Sequence, residues 1–368
     1  MIKKQLSSRP IAIWLLVGVF MIIIQIILGG ITRLTDSGLS ITEWKPILGT
    51  VPPTSETEWN KAFDQYKELA QYKNLHSYFT LDDFKSIYFW EWFHRLWGRF
   101  LGIVFLIPFV IFLVQKRFSR DMIKPMIILF LLGGLQGLIG WIMVQSGLND
   151  EDLYVSHIRL AIHFIAALGL LVYTFWFALK LLITEDQKIL YAPAKRLLIL
   201  IIVLFVIQLI YGAFMAGLKA ATYAPTWPGI NGQYFPAGMS QHAGESYSFV
   251  SSIFNNPITI HFIHRNLAYL ISILIIVWTF RLSGLKNSLF NSVKWLPLVF
   301  VILQTILGVS TVLTSPTKVP QRWGVFEWNA QLHQTIAIFL LLSLVMVFYL
   351  LRLKEKSNFA KGFDKPVI

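Results

Sequence analysis

Eight histidines stand in a chain that is 55% hydrophobic, and its chemistry starts with where they fall. His76 and His242 lie in polar stretches, where solvent or ordinary hydrogen bonds account for them. His94, His157, His163, His261, His264 and His333 lie inside long apolar runs or at their ends. An ionisable group there is costly and functional by default, although a lone imidazole can also serve only to hydrogen-bond a neighbouring helix. Cysteine is absent, which excludes disulfides, thiolate zinc sites, iron–sulfur clusters and a cysteine nucleophile. Two imidazoles without carboxylate or thiolate make an incomplete zinc or copper site. They are a complete axial set for one haem iron, and a four-helix bundle accommodates a flat macrocycle. Arg95 and Arg265 directly follow His94 and His264. Their planar forks suit the carboxylates of haem propionates; for these and for Arg99 the competing role is snorkelling to lipid headgroups.

Glu91 stands three residues before His94, on the same helical face. A carboxylate beside a haem edge can take a proton or stabilise developing positive charge; the plainer alternative is an acid at a helix N-terminus. The Glu-x-x-His spacing also occurs in di-iron bundles, which need a second such motif and further glutamates. The chain offers His261-x-x-His264 instead. His157 lies six positions before His163, off its face on a 100° period, and reads as a surface or supporting residue.

These side chains must be held by membrane helices. Of the 368 residues only 14% are charged, against about a quarter in soluble domains. Eight apolar runs meet the ~20-residue length of a membrane span, at roughly 11–31, 94–114, 123–146, 157–180, 196–217, 261–281, 294–314 and 330–351. The first follows Lys3, Lys4 and Arg9 and reads as an uncleaved anchor. The net charge of +13 falls in short clusters between runs, a topology signal and not a nucleic-acid face. Clusters at Lys3/Lys4/Arg9, Lys116/Arg117/Arg120/Lys124, Lys188/Lys195/Arg196, Arg281/Lys286/Lys294 and Arg352/Lys354/Lys356 alternate with less basic connections. Both termini are therefore expected in the cytoplasm, with two long segments, about 32–93 and 218–260, outside and carrying short amphipathic helices.

The chain also repeats itself. IIQIILGGITRLTDSGLSITEWKP (23–46) aligns with VIQLIYGAFMAGLKAATYAPTWPG (206–229), matching Gln25 with Gln208, Gly29 with Gly212 and Trp44 with Trp227. EWFHRLWGRFLGI (91–103) aligns with HFIHRNLAYLISI (261–273), LQGLIG (135–140) with LQTILG (303–308), and His163 with His333. The expected fold is an all-α polytopic membrane protein whose eight transmembrane helices form two tandem four-helix bundles, 1–185 and 186–368. An even number of spans per half relates them by a pseudo-two-fold along the membrane normal. Each half then carries one histidine pair toward the outer side, His94/His163 and His264/His333. Only the first carries Glu91, where the second has His261.

GGITRLTDSGLSITEWKPILGTVPP (29–53), EWFHRLWGR (91–99), FIHRNLAY (262–269) and LHQTIAI (332–338) resemble the haem A synthase family of cytochrome oxidase assembly, over nearly the whole chain. The resemblance implies conversion of haem O to haem A, a porphyrin methyl being oxidised to a formyl group. It implies that His264 and His333 ligate a resident haem b, that His94 and His163 bracket the substrate haem, and that Glu91 is the functional glutamate. Some bacterial members carry a cysteine pair in the first outer segment; this chain resembles the cysteine-free branch. The expected partners are haem O, the bilayer, and as candidates a haem O synthase and an electron donor; an oligomer stays open. No transit peptide is apparent, which favours a bacterial inner membrane over a mitochondrial precursor. The rival readings are a di-haem electron-transfer cytochrome, with symmetrical halves and no need of Glu91, and a repeat-built transporter.

Overall fold

The computed structural model describes residues 9–45, 48–285, 287–319 and 322–353. Lys3, Lys4, Lys286, Lys354 and Lys356 of the charge clusters lie outside them. Among the described residues, eight helical spans are long and apolar enough to cross a membrane. They are α1 (Arg9–Leu34), α3 (Leu81–Val114), α4 (Arg120–Gln145), α5 (His157–Leu182), α6 (Ala192–Gly217), α8 (Pro257–Arg281), the pair α9 (Ser288–Val293) with α10 (Leu296–Thr314), and α11 (Val325–Leu350). The short helices α2 (Glu56–Lys67) and α7 (Phe249–Asn255) lie in the two long connecting segments, as expected. Among the described residues the named strands are two pairs of two residues each, Ile189–Leu190 with Leu351–Arg352 and Gln241–His242 with Glu245–Ser246, beside an isolated bridge between Ile230 and Gln233.

Most span boundaries fall within a few residues of the apolar runs, because helices end where capping groups take over the unsatisfied backbone. Asn256 caps α8, its Oδ1 accepting from the amides of Ile258 at 2.9 Å and Thr259 at 3.1 Å, with Pro257 in the first turn. The exception is α3. It begins at Leu81, on a Thr80/Asp83 capping box, thirteen residues before the apolar run it carries. The added turns carry Asp82, Asp83, Lys85 and Glu91 among their aromatic side chains, so the apolar run does not extend through them. They lift Glu91 and His94 into the body of one continuous helix.

Helix α1 packs on α3 and α5, and α4 packs on the same two; α6 packs on α8 and α11, and so does α10. Contacts of α5 with α6, and of α11 with α1 and α5, join these groups. The join needs close approach. A Cβ on Gly217 would lie 2.5 Å from Cβ of His157, and one on Gly30 2.5 Å from Oε1 of Gln331. On one side of the joined helices, Asp36 receives Lys219 at 3.1 Å and Lys318 at 3.2 Å, while Arg33 donates to the Ala216 carbonyl at 3.1 Å. Burial raises the Asp36 pKa, but the two ammonium groups outweigh it and hold the carboxyl below its ordinary value.

The segment between α1 and α3 folds on its own small core of Leu39, Phe63, Tyr66, Leu69, Phe79 and Phe84, closed by Val144. His76 is buried in it, stacked on Phe79 at 4.0 Å with Nδ1 2.6 Å from Oη of Tyr66. Burial pushes its pKa down to about 4. The folded state thus resists the proton that the unfolded chain binds near pH 6.5. Stability from this group is complete above that value and is lost as pH falls from about 6.5 toward about 4. We expect amide exchange over residues 66–79 to accelerate between pH 7 and pH 5 beyond its intrinsic pH dependence, and H76F to remove that excess.

Candidate functional site

Four of the intramembrane histidines are held by the same device. His94 on α3 lies against α1, where Nε2 of Gln25 is 3.4 Å from its Nε2 and 3.2 Å from its carbonyl oxygen. One turn on, a Cβ at Gly29 would stand 3.2 Å from Cε1 of the same ring. His264 on α8 meets α6 in the same way, with Gln208 at 3.4 Å and a Gly212 Cβ position at 3.3 Å. His163 on α5 meets α4, with Gln136 3.1 Å from its Nδ1 and a Gly140 Cβ position at 2.7 Å. His333 on α11 meets α10, with Gln304 at 3.3 Å and a Gly308 Cβ position at 2.9 Å. Each clamp is a glutamine and, four residues later on the same helix face, a glycine that lets the imidazole lie on the backbone. The sequence repeat contains all four pairs. Their purpose was not readable from it, because the clamp and the ring it holds sit on different helices.

His264 and His333 face each other, their ring centroids 6.4 Å apart at 78°. Two imidazoles bound to one metal at ~2 Å each place their centroids roughly 6 Å apart, so this pair fits axial ligation of a haem. His333 Nδ1 donates to the Gln304 carbonyl at 3.1 Å, so Nε2 carries the ring's electron pair; here it accepts from the Gln304 side-chain amide at 3.3 Å, a bond that a metal would displace. His94 and His163 lie within electrostatic reach of one another. Among the described residues no three His, Asp or Glu side chains gather as a metal site. Glu91-x-x-His94 therefore lacks the further carboxylates of a di-iron centre.

Glu91 is buried, and ten residues of α3 precede it, so it does not serve the helix N-terminus. Its Oε2 accepts from Oγ of Ser40 at 2.7 Å and the Ile41 amide at 2.9 Å, while Oε1 pairs with Nη2 of Arg95 at 2.5 Å. Arg95 also donates to the carbonyls of Ile41 at 3.0 Å and Glu43 at 3.2 Å. His261 occupies the matching place, 2.9 Å from Arg265, which donates at 2.7 Å to the carbonyls of Thr226, Pro228 and Gly229. Both arginines thus hold the chain that follows the preceding span. Sequence reasoning offered them as propionate contacts and missed this loop-holding role.

The remaining candidates lie apart. His157 bonds through Nε2 to the Phe254 carbonyl at 2.9 Å and packs on Phe214; Arg99 donates to the Lys45 carbonyl at 3.0 Å. His76 is a buried hydrogen-bonding residue of the outer segment. The side chain of His242 lies outside the described residues.

Comparison with known proteins gives this site a context. The family model for COX15-CtaA, cytochrome oxidase assembly protein, matches residues 12–345. A Heme A synthase of Flavobacterium psychrophilum is 38% identical over 340 residues, 91% of this chain and 96% of that protein. Those of Flavobacterium johnsoniae, 38% identical over 92% of this chain and 96% of its own length, and Parvibaculum lavamentivorans, 39% over 84% and 88%, are similar.

The clamps carry a graded prediction. Alanine at Gly140 or Gly308 drives a methyl against an imidazole, whereas alanine at Gly29 or Gly212 meets a looser ring. We expect G140A and G308A to cost about 1–3 kcal/mol, the range for overpacking, and to lower the Tm of the detergent-solubilised protein more than G29A and G212A do.

Proposed function

The chain belongs to the COX15-CtaA family of cytochrome oxidase assembly proteins, and from that premise we propose that it is a haem A synthase. It is a membrane oxidoreductase that converts a porphyrin methyl of haem O to a formyl group. The observation that carries the assignment of roles is the asymmetry between two like-built sites: both hold a clamped histidine pair, and only one has a buried carboxylate a turn away.

The architecture proposed for this activity is two four-helix bundles, 1–185 and 186–368, related by a pseudo-two-fold along the membrane normal. Contacts between matching residues support it. In the repeat alignment Arg33 stands opposite Ala216 and Asp36 opposite Lys219, and each bonds its own counterpart. Residues that correspond to one another touch only near the axis that relates them. The proposed site is a multi-pass position in a bacterial inner membrane, both termini cytoplasmic and the haem sites outward.

In this reading His264 and His333 hold a haem b, and the resident haem supplies electron transfer. His94 and His163 bracket haem O, and their glutamine clamps fix the direction in which each ring presents its nitrogen. Glu91 faces the methyl-bearing edge. Two successive two-electron oxidations by an external oxidant, each adding one oxygen atom to the carbon, take the methyl to the alcohol and then to the geminal diol, and loss of water gives the aldehyde. Glu91 takes the proton released there or stabilises positive charge developing on the carbon. The ion pair with Arg95 and the two donors from Ser40 and Ile41 keep its carboxylate aimed and tie its state to the loop 40–43. Partner roles for a haem O synthase and an electron donor belong to the same proposal.

The rival, a di-haem electron-transfer cytochrome, has no use for Glu91. Co-expression with a source of haem O, followed by haem extraction, separates the two. E91Q is expected to lower haem A at least about a hundredfold, within the span of general acid–base effects, while the protein keeps its haem b. Undiminished haem A from E91Q would remove Glu91 from the reaction.

A further inference from the structure

A second difference between the halves lies one turn inward of His94. A cavity of about 260 Å³ runs among α1, α3, α4 and α5. Five of its lining residues are glycines: Gly18, Gly98, Gly102, Gly133 and Gly134. A Cβ on Gly102, Gly133 or Gly134 would meet no heavy atom within 4 Å, so these glycines are not there to let helices touch. The hydroxyl of Thr174 is spent on the Leu170 carbonyl at 2.8 Å, and its methyl is what faces Gly18, 3.7 Å from that residue's Cβ position. Arg99 also lines it, with Nη2 of its guanidinium bonded to the Lys45 carbonyl at 3.0 Å, and the other lining side chains are apolar but for Thr174. The interior is therefore apolar.

The matching positions in the second half are Ile201, Ala268, Ser272, Val301 and Ile302. Ile201 and Val301 are buried in the main core, where the first half has space. Spare apolar volume is costly to keep, since each unfilled site loses packing contacts. Space left by glycine at Gly18 and Gly133, where the second half places the buried side chains of Ile201 and Val301, points to an occupant that only the first half receives. Its walls give the route: lining residues of α1 and α5 such as Leu15, Ile22 and Leu170 are buried, whereas Phe130 and Gly134 of α4 are exposed. The cavity is closed toward the protein and open toward the lipid-facing side of α4.

We propose that this cavity receives the isoprenoid tail of the substrate haem, entering sideways from the bilayer. The inference rests on the reading of the first half as the haem O site. The occupant follows from chemistry: haem O differs from haem b by a hydroxyethylfarnesyl substituent, which beyond the one hydroxyl beside the macrocycle is a long branched hydrocarbon with no groups to hydrogen-bond. An apolar cavity of only ~150 Å³ already stays dry and takes benzene. The cavity adjoins His94 through Gly98, one turn along the same face of α3. The tail slot then decides which haem enters which half. The glycine-lined side admits the tailed haem; the filled side admits only the tail-less one.

The test is a pair of filling variants, G102L on α3 and G133L on α4, purified with haem b in the second half. The haem b spectrum reports that each has folded. Haem O and haem b are titrated separately into the first half and followed by the Soret band. Each variant is expected to bind haem O at least about tenfold more weakly, the loss for expelling a couple of buried methylenes, with haem b affinity at that half unchanged. Unchanged haem O affinity in both folded variants, or equal loss for the two haems, would overturn the tail site. A third protein, H94A/H163A, guards the premise. If it still binds haem O as the unmodified chain does, the first half is not the substrate site; if it does not, while G102L and G133L bind normally, only the tail site fails.

Discussion

An imidazole inside a membrane is useful only if its direction is fixed, and the rest of this structure follows from how that is done. Each of His94, His163, His264 and His333 lies on a glycine of the neighbouring helix, with a glutamine amide against the ring. The glycine sets the distance between the two helices and the amide sets the rotation of the ring. A clamp needs two helices, and a pair of facing histidines needs four. The packing of α1 with α3, α4 with α5, α6 with α8 and α10 with α11 is therefore the geometry of the site as much as of the fold.

On that shared frame the halves differ in two places. Above the first histidine, Glu91 stands where the second half has His261, and in each case the following arginine is drawn to it and to the carbonyls of the adjoining loop. Below it, glycines line a hollow, and the second half has the buried Ile201 and Val301 at two of the matching positions. In the function proposed, the carboxylate bears on the reaction and the hollow on which haem arrives. Glu91 and Gly98 both sit within about a turn of His94 on α3, and α1, α4 and α5 supply the rest of the hollow.

The sequence showed more of the fold than of the site. Hydropathy located the spans because the bilayer demands length and composition and little else. It missed the thirteen residues at the start of α3, where Asp82, Asp83, Lys85 and Glu91 interrupt a run of aromatic side chains and a capping box starts the helix. The repeat paired the histidines and exposed Glu91 against His261. It also displayed Gln25 with Gly29 and Gln136 with Gly140, but their meaning lay in a neighbouring helix whose register no single segment states. The Glu91–Arg95 pair has i,i+4 spacing, but sequence reasoning assigned Arg95 to a propionate and found neither the pair nor the loop carbonyls that share Arg95. Nor did it find the meeting of Asp36 with Lys219, since two residues that correspond in an alignment touch only if the axis passes between them.

The central claim is that the two histidine pairs have been divided between holding a haem and changing one. Haem analysis of two purified double variants, H94A/H163A and H264A/H333A, each co-expressed with a haem O source, tests it most directly. The account predicts that the first variant keeps haem b and contains neither haem O nor haem A, and that the second loses haem b. Equal loss of haem b from both variants would contradict it.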